Sequence, residues 1–137
     1  RFNITLNQGV EMVISDIINS HGAELFVPKI PSIRITELAE AIGPNCEKKI
    51  VGIRPGEKIH EEMITKSDSP NTFEFGEKFI IFPDDEKFLQ RYYNKESNIK
   101  KVDYGFSYNS KDNENYLNIS QIRNLIRENV DSTFQPI

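Results

Sequence analysis

"VGIRPGEKIHEEM", residues 51–63, is the stretch on which the reading of this chain turns. A short β-branched run ends at Arg54, a Pro-Gly turn follows, and a charged segment of helical character begins at once. The pattern predicts a strand over residues 48–53 and a helix over residues 57–64, joined by a tight corner. Pro55 fixes its own φ and Gly56 admits a close approach of the chain, so the N–H groups of a helix starting at Glu57 would point outward. Helix N-termini favour anions, and a guanidinium grips a phosphate through two parallel bonds. Arg54 and Glu57 are therefore candidates for a ligand carrying phosphate and ribose, with Glu57 accepting from sugar hydroxyls. The same residues fit a plainer reading, in which Glu57 complements the helix dipole and Arg54 pairs with a surface acid. The residues alone leave both open.

Upstream, Thr5 and Gln8 have capping-box spacing, and Leu6, Val10, Val13, Ile14, Ile17 and Ile18 recur at three- and four-residue steps. An amphipathic helix is expected over 6–20, ended by Gly22, then a strand over 23–27 closed by Pro28. A second helix is expected from Thr36 as N-cap, with Leu38, Ala39 and Ile42 inward and a stop at Gly43-Pro44. Downstream, residues 72–75 and 78–82 read as a hairpin around Gly76. Residues 84–115 are polar and read as mostly loop, and Tyr92, Tyr93, Tyr104 and Tyr108 there serve either as core cover or as stacking platforms. Asn118 with Gln121 opens a last helix whose inward residues are Ile122, Leu125, Ile126 and Val130, and the tail after Asp131 is expected to fray. The predicted fold class is α+β: mixed helix and strand over 1–83, a loop-rich part over 84–117 and a terminal helix over 118–130.

Composition narrows the function classes. With 137 residues, 37% hydrophobic and 28% charged, the chain is one domain's worth of ordinary globular sequence. A net charge of −4 argues against a general nucleic-acid or membrane-surface binder. No apolar run approaches the ~20 residues that span a bilayer. Cys46 is the single cysteine, which leaves no disulfide and no thiolate metal site, and a cytoplasmic setting fits. No G-x-G-x-x-G, no phosphate-loop G-x-x-x-x-G-K-[ST], no H-E-x-x-H and no G-x-S-x-G occurs, so neither catalytic residues nor a cofactor or metal set is expected in this chain. His60 reads as a surface or packing residue, and Glu61 and Glu62 as a solvated helix face. Arg1-Phe2-Asn3-Ile4-Thr5 looks like the inside of a structured region, which predicts a fragment of a longer protein. Arg1 itself is either a solvated terminal cation or a cation facing a cleft.

Four segments in order, "RFNITLNQGVEMVI", "GAELFVPKIPSIRITELAEAI", "VGIRPGEKIHEEMIT" and "GFSYNSKDN", carry a resemblance that covers nearly the whole chain. Together they resemble the C-terminal part of the inverting UDP-N-acetylglucosamine 4,6-dehydratases, extended short-chain dehydrogenases/reductases that open pseudaminic acid synthesis for flagellin glycosylation. The resemblance implies an N-terminal Rossmann part, absent here, that binds NADP and carries the catalytic Thr/Asp/Lys/Tyr set. It implies that the smaller part closes over UDP-N-acetylglucosamine while C4 is oxidised, water is eliminated across C5 and C6, and hydride returns to C6 with inversion at C5. This chain departs from the whole-enzyme pattern, because no tyrosine has a lysine four positions on and the cofactor glycines are missing. Alone it is expected to bind no cofactor and to be inactive. Carried over by motif, Arg1 and Arg54 are implied diphosphate ligands and Glu57 a ribose ligand, with Tyr108 and Asn109 added from the SYNS stretch. The implied partners are the UDP-sugar, the rest of the parent enzyme and further copies in a homo-oligomer, with neither nucleic acid nor membrane. Retaining 4,6-dehydratases and C4 epimerases would share the corner, and a free-standing binding module is the alternative of another class.

Overall fold

The computed structural model describes residues 1–93 and 98–137. In chain order the elements are α1 (Leu6–Asn19), β1 (Leu25–Pro28), α2 (Ile35–Ile42), β2 (Glu62–Ile64), β3 (Thr72–Phe75), β4 (Lys78–Ile81), α3 (Glu86–Tyr93), β5 (Lys100–Lys101), β6 (Tyr108–Asn109) and α4 (Ile119–Asn129), with a 3-10 turn at Ser69–Asn71. The architecture is α+β, as expected. The chain divides into two units made of interleaved segments, Leu6–Lys29 with Glu62–Asn109, and Arg1–Thr5 with Ile30–Glu61 and Ser110–Ile137.

The first of these is the sheet unit. Its antiparallel sheet runs β1-β4-β3-β5 and is built on the hairpin at Gly76, whose φ of 55° suits glycine. Alternation then puts Phe73 opposite Ile80 on one face. Those two form a core with Phe82, whose ring meets Phe73 edge-on at 5.3 Å, and Phe26, Phe88 and Leu89 pack around it. Lys29 closes the hairpin, its Nζ donating to Glu74 Oε1 at 2.6 Å and to the Gly76 carbonyl at 2.7 Å. This ion pair holds the Glu74 carboxyl below its ordinary range, against a smaller opposing effect of burial. A short second ladder pairs β2 with β6.

α1 forms over the expected span, but its amphipathicity is turned outward. Its one buried residue is Asp16, ion-paired with Lys78, whose Nζ also lies 4.8 Å from the Phe26 ring centroid. The apolar stripe of Leu6, Val10, Val13, Ile14, Ile17 and Ile18 is exposed, Leu6 to 83%. A stripe of this size outside a core is a covered surface in waiting rather than a stabilising face.

The second unit is helical. α2 and α4 pack through Ala41, Leu117 and Ile122, with Leu38, Leu125 and Ile126 at the edges. Asn118 and Gln121 form the expected capping box, each side chain accepting the other's backbone N–H. Arg123 of α4 donates Nε–H to the Ala41 carbonyl at 2.9 Å, satisfying an open carbonyl at the end of α2.

Several expectations are corrected. Residues 48–53 form no strand, because no ladder partner exists for them among the described residues, and Ile50 is 96% exposed. No helix starts at Glu57: the segment bends and then enters β2, where the ladder to β6 outweighs local helix propensity. Glu61 and Glu62 are thus no helix face. α2 begins at Ile35 behind Arg34, which makes no side-chain cap, and Thr36 lies inside the first turn. Residues 84–115 are less loop-like than expected, since Asp85 accepts the Lys87 N–H through its carboxylate and starts α3, and β5 and β6 follow. The side chains of Tyr92 and Tyr93, and residues 94–97, lie outside the described residues. Val130 is exposed rather than inward, and the tail is tied back, Ile137 N–H donating to the Ile42 carbonyl at 2.9 Å.

Two measurements check this packing. In urea unfolding of this chain, Phe82→Ala is expected to cost about 3–5 kcal/mol, the usual range for a buried Phe. Ile17→Asn on the exposed stripe should shift stability by no more than ~0.5 kcal/mol, as for surface sites. Because the folded-state pKa of Glu74 is depressed, its contribution is complete above the unfolded pKa and is lost as pH falls through the folded one. Glu74→Gln should therefore flatten the acid limb of the stability profile, and an unchanged limb would contradict the Lys29 pairing.

Candidate functional site

The Arg54 corner is a type II turn. Glu57 N–H donates to the Arg54 carbonyl at 3.1 Å, and Gly56 at the third position has φ 83°, where a Cβ would be strained. Nothing lies within 4 Å of a Cβ built on Gly56, so its requirement is conformational rather than steric. The Glu57 carboxylate folds back, Oε2 accepting the Arg54 N–H at 3.0 Å. Two reciprocal bonds therefore close the corner, and Glu57 rather than a helix terminus satisfies the backbone. The anion-binding argument from a helix start falls with the helix. What stays is the guanidinium: Arg54 is exposed and makes no ion pair or side-chain hydrogen bond among the described residues. The plainer reading, in which it pairs with a surface acid, is not what the structure contains.

Arg1 lies in the same unit and is differently held. Its N–H donates to the Ile33 carbonyl at 2.8 Å, and the Ile33 N–H returns a bond to the Arg1 carbonyl at 2.7 Å. Its side chain is about one-third exposed and ion-paired through Nη1 with Glu61 Oε1. Glu61 in turn exchanges two bonds with Ser110, giving its N–H to Oγ at 2.9 Å and taking the Ser110 N–H on its carbonyl at 2.8 Å. Ser110 is fully enclosed, and its carbonyl accepts the Tyr116 hydroxyl at 2.6 Å. The Arg34 guanidinium lies 4.3 Å from the Tyr116 ring centroid.

The helical unit thus brings Arg1, Arg54 and Glu57 into one body. Tyr108 and Asn109 belong to the sheet unit. Tyr108 is buried with its ring tilted on Phe79 at 5.2 Å, and Asn109 stands opposite Glu62 in the β2–β6 ladder, its amide donating to Ser107 Oγ at 3.3 Å. Sequence reasoning missed Glu61, Ser110 and Tyr116. The only trace of them is that Ser110 sits inside the SYNS stretch and Glu61 inside the corner motif. The contacts of Glu61 join residues 49 and 60 apart, which no local pattern reports.

Among the described residues, the helices starting at Leu6, Ile35, Glu86 and Ile119 have no glycine in the turn before them, so none of them opens on the Gly-rich strand-to-helix turn that brings backbone close to a pyrophosphate. Among the described residues no three His, Cys, Asp or Glu side chains gather as a metal set, and no helix is long and apolar enough to cross a membrane.

Residues 1–83 match the family described as polysaccharide biosynthesis protein, and the chain belongs to that family. Over 92% of its length it is 42% identical to the UDP-N-acetylglucosamine 4,6-dehydratase (inverting) of Campylobacter jejuni. It is 30% identical over 93% of its length to an uncharacterized membrane protein, MJ1061, of Methanocaldococcus jannaschii. The X-ray structure of Pen from Bacillus thuringiensis superposes with a TM-score of 0.74 over 93% of this chain at 30% identity. The chain spans only 39%, 38% and 38% of the length of these three proteins.

Proposed function

We propose that this chain is the C-terminal, UDP-sugar-binding part of an NADP-dependent UDP-N-acetylglucosamine 4,6-dehydratase that inverts C5. In this reading Arg54 and Arg1 hold the diphosphate and Glu57 accepts from the ribose through Oε1, the oxygen its turn leaves free. The observation that carries it is the Arg54 guanidinium, exposed and without an acidic partner among the described residues, mounted on a turn closed by one backbone bond and one bond to the Glu57 carboxylate. A flexible surface cation loses entropy when it binds, whereas one whose backbone is already fixed loses less. A guanidinium also matches a diphosphate with two parallel N–H bonds, which a lysine in its place would not.

The chain's own residues bind and orient; oxidation at C4, loss of water and return of hydride fall to the remaining part of a longer protein, which also holds NADP. The exposed apolar stripe of α1 supports such a protein, since it offers a face for that remainder to cover. Ile17→Asn, expected to leave this chain's own stability nearly unchanged, should accordingly lower the Tm of the longer protein. Its product would enter nucleotide-sugar chemistry for surface polysaccharide or flagellin glycans such as pseudaminic acid, in the cytoplasm.

In the longer protein, Arg54→Ala is expected to weaken UDP-sugar binding by about 1.5–3 kcal/mol, or roughly ten- to a hundredfold. Titration calorimetry reads this directly. Unchanged affinity would remove Arg54 from the site and the reading with it.

A further inference from the structure

We propose that Glu61 is the positioning residue for Arg1, fixing its guanidinium for the diphosphate; this rests on the reading of Arg1 as a diphosphate ligand. A carboxylate beside an anion site is unfavourable on charge alone, so its presence on Arg1 calls for a compensating role. The geometry supplies one. Arg1 starts from a backbone held in both directions by Ile33, at 2.8 and 2.7 Å. Glu61 starts from a backbone held in both directions by Ser110, at 2.9 and 2.8 Å. The ion pair therefore joins two side chains whose main chains are already fixed, and it selects one conformer of a long cation.

A guanidinium has five N–H donors. Glu61 Oε1 occupies Nη1, and the rest of the fork stays available for an anion. Ser110 is itself anchored, because its carbonyl accepts the Tyr116 hydroxyl at 2.6 Å. Arg1, Glu61 and Ser110 of the SYNS stretch are joined by this chain of contacts. Glu61 touches Arg1 and acts through it.

The experiment is calorimetric binding of UDP to the full-length protein, with Arg1→Ala, Glu61→Ala, Glu61→Gln and the double variant Arg1→Ala/Glu61→Ala. Glu61→Ala is expected to weaken UDP binding roughly two- to tenfold, the cost of ordering one long side chain. Glu61→Gln, which keeps a hydrogen-bond acceptor, should recover part of that loss. In the Arg1→Ala background, Glu61→Ala should add nothing. An acid that only repels the ligand would give tighter binding in Glu61→Ala, and a purely structural residue would weaken binding equally in both backgrounds. Either result, or no change, overturns the proposal. If Arg1→Ala itself leaves UDP affinity intact, the assignment of Arg1 falls as well, whereas a loss in Arg1→Ala with none in Glu61→Ala sinks the positioning role alone.

Discussion

The helical unit hangs on the backbone of Ser32. This unit contains no multi-residue ladder, and its pieces come from three distant parts of the chain. Ser32, fully buried, bridges Phe2 on one side and Tyr116 on the other. Its N–H donates to the Asn115 carbonyl at 2.8 Å and its carbonyl accepts the Leu117 N–H at 2.9 Å. Asn113 adds its amide to Ser32 Oγ at 2.9 Å and to the Ile30 carbonyl at 2.8 Å. Buried polar groups are costly unless paired, so this knot is either complete or strongly destabilising. Here it is complete, and it sets where Arg1 begins and where Ser110 sits.

From that constraint the placement of Arg1 and Glu61 follows. With residues 1–3 laid against 31–33, the Arg1 backbone is fixed by Ile33, and with residues 115–117 laid against Ser32, Tyr116 can reach the Ser110 carbonyl. Ser110 then clamps Glu61, and Glu61 holds Arg1. The Arg54 corner is independent of this chain of contacts, closed locally by Glu57. One cation is positioned by tertiary structure and the other by a turn, and the two are reached by different kinds of inference.

That difference decides what was legible in the sequence. Local signals read well: the capping box at Asn118, the stop at Gly43, the glycine of the hairpin and the period of α1 all have their cause within a few residues. The strand expected over 48–53 failed because β-branched residues make a strand only where a partner ladder exists. The helix expected after Glu57 failed because residues 108–110 recruit residues 61–64 as backbone partners. The start of α3 had a local signal in Asp85, obscured by the polar run around it. Period alone gave the apolar face of α1 but not what it faces, since amphipathicity does not say whether its cover lies within the same chain. Among the candidate residues, Arg54 and Glu57 stood out as a turn with charged ends, whereas Glu61 looked like surface because its partner is 60 positions away.

A crystal structure of the full-length protein with UDP tests the account most directly. The diphosphate oxygens are predicted within about 3 Å of the guanidinium nitrogens of both Arg54 and Arg1, with Glu61 still paired to Arg1. UDP bound with Arg54 facing solvent, or with Arg1 turned from the diphosphate, would contradict it.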